Sequence, residues 1–272
     1  MSALRFGEPG PAYQPQKRTR SRAAVDDVSR VCGSPIYLKA KKAILSNTPI
    51  MAIMPAEITY MITIHHLGVS QSDRIVWLME ELELPYRLKW HKRTDRGLAP
   101  NEYLALHPAA TAPVIADDGT VLTESAVIAE YICHRYAGGK LTVRPEQSNY
   151  AEYLYWMHFN NNILGLFFAK RALGTGGQGS SAELIQDVVR RREGQYFNFL
   201  NARLGVSPYL AGPGFTCADV MTMFSLTSLP LFGGRAIDDL PNVISYVKRV
   251  EARPAYIRAM AIAGPGATPG DR

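Results

Sequence analysis

Two serines, an aspartate and an arginine crowd the stretch LGVSQSDRIVWL, residues 67–78, just ahead of an apolar helical pattern. A serine hydroxyl at a strand-to-helix turn can stabilise an anion, because it donates a hydrogen bond beside the unpaired N–H groups of the helix. The same residue types are also ordinary helix caps. Ser72 and Asp73 fit capping, since they precede the apolar residues that begin at Ile75. Ser70, at the strand end, is the candidate for chemistry, and Ser72 is its alternative.

A second polar pair opens the helix predicted in LTESAVIAEYI. Capping by Thr123 or Ser125 is the structural interpretation. The functional interpretation is an anion pocket, in which the Ser125 hydroxyl and backbone N–H bind a ligand carboxylate while Glu124 receives an ammonium group. The pair therefore predicts either a cap or a site for a ligand that carries both charges.

Pro113 stands at the start of a strand that should be buried, where a residue without an N–H is tolerated only at an edge, a first position or a turn. A cis Ala112-Pro113 bond would turn the backbone of Val114 outward and leave it free to pair with an extended peptide ligand. Only about 5–6% of X-Pro bonds in folded proteins are cis, so the sequence favours a trans bond.

Two other patterns indicate structural roles. Thr216 and Asp219 in FTCADV have the spacing of a capping box ahead of an apolar run. His65 and His66 are neighbours on a predicted strand, so their side chains point to opposite faces and do not readily ligate one metal. With no HExxH or related spacing, we expect no metal site.

Composition predicts a soluble globular protein. The chain has 272 residues, 47% of them hydrophobic, and no apolar run approaches the length of about 18 residues that a membrane span needs. Its three cysteines, Cys32, Cys133 and Cys217, are far apart and form no CxxC pair. Neither a disulfide framework nor a cysteine zinc site is indicated, and a reducing compartment, the cytoplasm, is the default.

The net charge of +6 is unevenly placed. Residues 1–60 hold nine Lys or Arg against four acids, which leaves 21 against 20 for residues 61–272. The basic pI is therefore weak support for nucleic-acid binding, and we expect neither a nucleic-acid nor a membrane partner.

Periodicity divides the chain after its first 60 residues. Residues 1–60 are proline-rich without a sustained period, which predicts disorder or an extension that is not native. From Met61 the order is βαβαββα, with an Asp118-Gly119 turn between the last two strands. In its first helix, a single stripe is predicted to be buried: Ile75, Val76, Leu78, Met79 and Leu82.

Beyond the third helix every periodic segment is helical. We expect an α/β domain over 61–137, a linker over 138–148, an all-helical domain over 149–262 and a tail over 263–272. The helical segments are predicted at 149–173, 183–204, 217–228 and 241–262, the last interrupted near Pro254.

Residues 61–262 together resemble the soluble glutathione transferases. The resemblance rests on the βαβαββα order, SQSDR at the first turn, Pro113 opening the third strand, Glu124-Ser125 opening the third helix, and FTCADV in a helical second domain. SQSDR is similar to the serine-type classes, and YRLKWHKR with LAPNEYLALHP resembles a fungal and bacterial branch.

The resemblance implies a thioredoxin-like domain that holds glutathione as co-substrate and a helical domain that supplies a hydrophobic site. By the same resemblance, Ser70 takes the place of the serine that hydrogen-bonds the glutathione sulfur. Val114, after Ala112 and Pro113, would pair with the cysteinyl backbone, and Glu124 with Ser125 would hold the γ-glutamyl group.

For the glycine end of glutathione, the residues in this chain depart from the pattern of the family. Thr111 occupies a place often taken by Lys or Gln near the glycine carboxylate, with His107 and Arg93 as weaker candidates. On the long helix after the linker, Tyr155, Trp156, His158, Phe167 and Phe168 are candidates to line the second site, or an aromatic stripe in the core.

The implied chemistry follows from the thiol. A free thiol with a pKa of about 8.5 is mostly protonated near neutral pH, so the site must favour the thiolate, which then attacks an electrophilic carbon. The implied activity is conjugation of glutathione to apolar electrophiles, a detoxification reaction, in a homodimer. The alternatives are a glutathione-dependent peroxidase, isomerase or ether-cleaving enzyme on the same fold, and a non-catalytic binding or regulatory protein.

Overall fold

The computed structural model describes residues 62–174 and 180–272. The predicted extension over residues 1–60 lies outside the described residues.

The first half folds around a four-stranded mixed sheet. Its elements are β1 (Ile62–Leu67), α1 (Asp73–Leu82), β2 (Tyr86–His91), α2 (Asn101–Leu104), β3 (Val114–Asp117), β4 (Thr120–Thr123) and α3 (Ser125–Tyr136). The strand order is β2-β1-β3-β4, with β1 parallel to β2 and the other two pairings antiparallel. Asp118 and Gly119, both with positive φ, make the turn between β3 and β4. The predicted α/β, thioredoxin-like arrangement is confirmed.

The second half is helical, as predicted. It contains α4 (Tyr150–Gly174), α5 (Ser180–Val206), α6 (Cys217–Thr227), a short 3₁₀ helix (Leu229–Phe232), α7 (Pro241–Glu251) and α8 (Pro254–Ala263). The break between α7 and α8 falls at Pro254, which begins α8 because a proline lacks the N–H that a helix interior needs. Among the described helices, none combines the length and the apolar character that crossing a membrane requires.

Helix α1 is buried on more than one face. Every residue from Asp73 to Met79 is buried, including Trp77, which the predicted single stripe omits. The reason is that α1 packs against helices of the second half as well as the sheet. The Trp77 ring lies 5.5 Å from that of Phe215 and 4.9 Å from that of Tyr256. A one-sided stripe therefore describes only half of the environment of this helix.

Arg253, the N-cap residue of α8, and Arg258 within α8 form hydrogen bonds with glutamates near the C-terminal end of α1. Arg253 donates to both carboxylate oxygens of Glu81, at 2.6 and 2.7 Å, and Arg258 donates to Glu80 at 2.7 Å. The two-pronged geometry of the first pair fixes direction as well as distance. These contacts orient the helix that follows the SQSDR turn.

Candidate functional site

A cavity of about 260 Å³ lies between the first half of the chain and the helical half. The first half contributes Gln71, Arg74, Thr111, Ala112, Glu124, Ser125, Ala126 and Val127 to its lining. The helical half contributes Met157, His158, Asn160, Asn161, Leu164 and Met221. Four of the predicted ligand-binding residues, Thr111, Ala112, Glu124 and Ser125, are thus brought together although up to 14 positions separate them.

Strained backbone precedes both candidate serines. Val69, before Ser70, has φ 52°, and Glu124, before Ser125, has φ 69°. Positive φ at a residue other than glycine costs on the order of 1–3 kcal/mol and is concentrated at functional sites. The strain at these two positions marks the two turns that the sequence singled out.

The start of α3 is open to a ligand. Glu124 occupies the N-cap position but makes no side-chain cap hydrogen bond, so the predicted capping by Thr123 or Ser125 is wrong. Ser125 is buried against the cavity and Glu124 is exposed beside it. The first N–H groups of α3 and the Ser125 hydroxyl can therefore bind an anion, while the Glu124 carboxylate can accept from a cation.

The segment before β3 reaches the cavity at Ala112. The Ala112-Pro113 bond is cis, so the expectation of a trans bond is wrong. Val114 is in register with His65 of β1 and Thr123 of β4, and its side chain is 1% exposed. Ala112 lines the cavity, whereas Pro113 and Val114 are not among its lining residues, because Val114 already lies within the sheet. Pairing of the Val114 backbone with a ligand stays a prediction.

A hydrogen-bonded chain connects Ser70 to a buried histidine. The hydroxyl oxygens of Ser70 and Ser72 are 2.7 Å apart, and the Ser72 hydroxyl lies 2.8 Å from Nδ1 of His66. The backbone N–H of Ser72 also donates to the Ser70 hydroxyl at 3.3 Å. Ser72 occupies the N-cap position of α1, as predicted, but its side chain makes no cap hydrogen bond. Its hydroxyl joins Ser70 to His66 instead.

Both strand histidines are buried inside the fold. Burial lowers the pKa of His66 to about 4, assisted by the positive charge of Arg93. His65 hydrogen-bonds His91, Nδ1 to Nε2, at 3.0 Å, and burial lowers its pKa to about 4 as well. In the part of the chain that the structure describes, no cluster of three or more His, Cys, Asp or Glu side chains could hold a metal ion.

Arg93 supports the turn that carries Ser70. It donates to the carbonyl oxygens of Gly68 at 2.7 Å and Val69 at 3.0 Å. His107 accepts a hydrogen bond from the backbone N–H of Ala109. Thr111 is the one of these three candidates for the glycine carboxylate that lines the cavity.

The aromatic candidates on α4 do not converge on one site. His158 is exposed and lines the cavity. Tyr155 and Trp156 instead pack in an aromatic cluster with Phe159 and Phe199, and Phe167 lies against Phe168. The cavity wall is a different face of the same helix, made of Met157, Asn160, Asn161 and Leu164. Their spacing of three, four and seven residues was the sequence signal for this face.

The predicted capping box of α6 is confirmed. Oδ2 of Asp219 accepts from the backbone N–H of Thr216 at 2.9 Å, and its Oδ1 accepts from Leu210 N–H and the Tyr246 hydroxyl, both at 3.0 Å. Burial raises the pKa of Asp219 to about 6. This carboxylate joins α6 to α7 and to the loop before α6.

Comparison with known proteins agrees with the fold and the cavity. Residues 70–135 match the glutathione S-transferase N-terminal domain, and residues 163–254 match the C-terminal domain of the same family. Glutathione S-transferase 3 of Schizosaccharomyces pombe is 31% identical over 214 residues, 72% of this chain and 85% of the relative.

Similar solved structures are also glutathione S-transferases. A glutathione S-transferase from Actinobacillus pleuropneumoniae is 30% identical, with a TM-score of 0.68 over 76% of this chain and 95% of that one. A theta class enzyme from Xanthomonas axonopodis pv. citri, solved with glutathione bound, shares the fold at 23% identity, with a TM-score of 0.57 over 75% of this chain and 99% of that one. The chain belongs to the glutathione S-transferase family.

Proposed function

We propose that this protein is a glutathione transferase that conjugates the glutathione thiolate to electrophilic, mostly apolar small molecules. The observation that carries the proposal is the cavity itself. One wall brings Thr111, Ala112, Glu124 and Ser125 together, and the facing wall is helical with apolar side chains that include Leu164. A polar wall that suits a charged peptide beside a partly apolar wall is what a two-substrate conjugation requires.

The polar wall matches the charges of glutathione. The γ-glutamyl end has an α-carboxylate for the Ser125 hydroxyl and the α3 N-terminus, and an α-ammonium group for the Glu124 carboxylate. The cysteinyl residue lies along Ala112 and the first residue of β3, Val114, and the glycine carboxylate lies toward Thr111. This placement leaves the sulfur between the SQSDR turn and the helical wall.

The reaction then follows from thiol ionisation. The thiol loses its proton to water, and the Ser70 hydroxyl and the N-terminal dipole of α1 favour the resulting thiolate. The thiolate donates an electron pair to the electrophilic carbon, forming a C–S bond, and with an aromatic halide the halide departs with its bonding pair. Neither Ser70 nor Ser72 is among the residues that line the cavity. We propose Ser70 for the sulfur contact because it is 7% exposed next to Gln71, which does line the cavity, whereas Ser72 is fully buried.

The names and bound ligand of similar proteins support this proposal. The fission yeast relative is named as a glutathione S-transferase, and the Xanthomonas structure contains glutathione. By family membership we also propose a homodimer in the cytoplasm. Sedimentation of the purified protein at micromolar concentration would give a species of about twice the chain mass of 30.1 kDa, and a monomer would contradict this part.

Calorimetric titration with glutathione tests the binding mode. We expect Glu124→Gln to weaken binding about 10- to 100-fold, because an amide cannot replace a charge-assisted contact to an ammonium group. Glu146→Gln, at an exposed position outside the cavity lining, is the matched control and should bind like the parent. Failure of the parent to bind glutathione, or equal binding by Glu124→Gln, would contradict the proposal.

A further inference from the structure

Asn160 on α4 is a buried amide in the cavity wall that the proposed binding of glutathione leaves without a role. It lies on the helical wall between Met157 and Leu164, which are about one helical turn away on either side. The residue is 1% exposed, so bulk water does not hydrate its side chain. Its polar atoms therefore need partners within the fold or in the cavity.

The amide of Asn160 is held at its oxygen and unpaired at its nitrogen. The Ser225 hydroxyl of α6 donates to Oδ1 of Asn160 at 2.6 Å. Nδ2 is buried without a hydrogen-bond partner. Ser225 is 1% exposed as well, so the contact belongs to the packed interface between α4 and α6. The serine thus fixes the amide in an orientation that leaves its donor group without an acceptor.

An unpaired donor in the wall of a cavity indicates a ligand. A purely structural position beside Met157 and Leu164 would accept a leucine of similar volume without leaving a polar group unsatisfied. The other polar residues of the helical wall, His158 and Asn161, are exposed and can be hydrated. Among the described residues of that wall, Asn160 alone has a buried atom without a partner. The missing partner is therefore an acceptor on a molecule that enters the cavity.

The position of Asn160 assigns this acceptor to the second substrate. Thr111, Glu124 and Ser125, which we propose for the charged ends of glutathione, are all on the opposite wall. Asn160 is on the helical wall, which the second substrate faces. A neutral amide N–H suits a neutral acceptor such as a carbonyl oxygen. It also discriminates against an analogue without that oxygen, because the buried donor then stays unpaired.

Resting on the proposed function, we infer that Asn160 is a specificity-determining residue whose amide donates a hydrogen bond to a carbonyl oxygen of the second substrate, which selects α,β-unsaturated carbonyl compounds. With such a substrate the thiolate donates an electron pair to the β-carbon and forms the C–S bond. The electrons of the C=C bond shift to give an enolate, and a proton from water then adds to the α-carbon. The Asn160 N–H stabilises the carbonyl oxygen as its negative charge grows.

Two electrophiles of similar size test this role in the parent, Asn160→Leu and Asn162→Leu. Benzylideneacetone carries the carbonyl oxygen, and benzyl chloride has no oxygen. We expect Asn160→Leu to lower kcat for benzylideneacetone about 10- to 100-fold with a smaller change in KM, because the oxygen gains charge only in the transition state. The rate with benzyl chloride should change little.

Asn162→Leu is the matched control, at an exposed position of the same helix outside the cavity lining. It should match the parent with both electrophiles. An equal loss in Asn160→Leu with both electrophiles, or an unchanged rate with benzylideneacetone, would overturn the inference.

Ser225→Ala separates donation to the substrate from a structural role of the Asn160 amide. This variant removes the hydroxyl that holds Oδ1 but keeps the amide itself. We expect a smaller loss with benzylideneacetone than in Asn160→Leu, and little change with benzyl chloride. If Asn160 acts only through its bond to Ser225, the two variants lose the same fraction of activity with both electrophiles, which would overturn the inference.

Ligand binding to the parent tests the inference without any variant. The glutathione conjugate of methyl vinyl ketone and S-butylglutathione have the same carbon chain on sulfur, and only the former has a carbonyl oxygen. We expect the parent to bind the ketone conjugate about 2- to 10-fold more tightly in calorimetric titrations, because the conjugate supplies the missing acceptor. Equal or weaker binding of the ketone conjugate would overturn the inference.

The two proposals fail in different ways. If the parent binds glutathione and conjugates benzyl chloride, but Asn160→Leu treats both electrophiles as the parent does, the role of Asn160 is wrong and the proposed function stands. If the parent neither binds glutathione nor accelerates either reaction, the proposed function itself is wrong.

Discussion

At the scale of single residues, the direction of the hydroxyl chain decides what Ser70 can do. When His66 has its proton on Nδ1, it donates to Ser72, which donates to Ser70 and leaves the Ser70 proton for the ligand sulfur. With the proton on Nε2, Nδ1 of His66 is an acceptor. Ser72 then donates to His66, and Ser70 donates to Ser72, so the Ser70 proton is not available to the ligand sulfur. Nε2 of His66 is buried without a partner, which favours the proton on Nδ1, where it reaches an acceptor.

Alanine substitutions test whether Ser70 contacts the sulfur directly while Ser72 acts only through Ser70. We expect Ser70→Ala to lower kcat/KM for conjugation about 10- to 100-fold, because one charge-assisted hydrogen bond to the thiolate is lost. Ser72→Ala should lower it less, since Ser72 acts only through Ser70. A larger loss in Ser72→Ala, or full activity in Ser70→Ala, would contradict the assignment.

The pH dependence of stability tests the burial of His66. Its pKa is lowered to about 4 in the fold, so neutral His66 stabilises the protein above pH 6.5 and this stability is lost as the pH falls from 6.5 towards 4. Relative to His66→Asn, which does not titrate, the parent should lose up to about 3 kcal/mol over that range. Urea unfolding at several pH values measures the difference, and parallel curves for the two proteins would contradict it.

The buried carboxyl groups of Asp73 and Asp219 have the opposite effect on how stability depends on pH. Their effect is the same in the parent and in His66→Asn, so it cancels when the two proteins are compared. Burial raises the pKa of Asp73 to about 7 and that of Asp219 to about 6, so their contributions to stability are lost as the pH rises from about 4 towards those values. Both are present in the parent and in His66→Asn, and the difference between the two proteins reports His66.

At the scale of elements, local sequence patterns correctly predicted the features that are formed by residues close together in the chain. The Asp118-Gly119 turn, the start of α8 at Pro254 and the Thr216-Asp219 box depend on residues within a few positions, and all three are confirmed. Local sequence patterns did not predict contacts between elements that are distant in the chain. The hydroxyl of Ser72 bonds His66 of β1 in place of capping α1.

Asp219 gives a prediction at this scale. Asp219→Asn places an amide among the N–H and O–H donors of Leu210, Thr216 and Tyr246, so at least one buried donor loses its acceptor. We expect a loss of about 2–4 kcal/mol in the free energy of unfolding, measured with urea. Asp187→Asn, at an exposed ion pair on α5, should change it little. Equal stability of the two variants would contradict the role of Asp219.

At the scale of the whole molecule, the order of elements predicted the fold class because strands alternate with helices only before residue 137. The cavity was partly predictable for a similar reason. Glu124 and Ser125 are identified by their turn, whereas the wall residue Asn160 is identified only once the helical half encloses the cavity. A sequence pattern shows which face of a helix is apolar but not which neighbour covers it.

At the scale of the whole molecule, we also predict that the folded unit begins near Met61. The residues from 62 onwards include a continuous hydrophobic core that runs from Ile62 to Ala263. We expect a chain that begins at Met61 to match the full chain in melting temperature and in kcat/KM. A loss of folding or solubility on removing residues 1–60 would contradict the proposed boundary.

The cavity is proposed to bind glutathione and to acidify its thiol, and the pH profile of kcat/KM for conjugation of an aromatic halide tests this most directly. We predict a rate well above the reaction without protein, governed by an ionisation about one unit or more below the value of about 8.5 for a free thiol. A profile that follows the free thiol, or a rate no higher than the spontaneous reaction, would contradict the proposal.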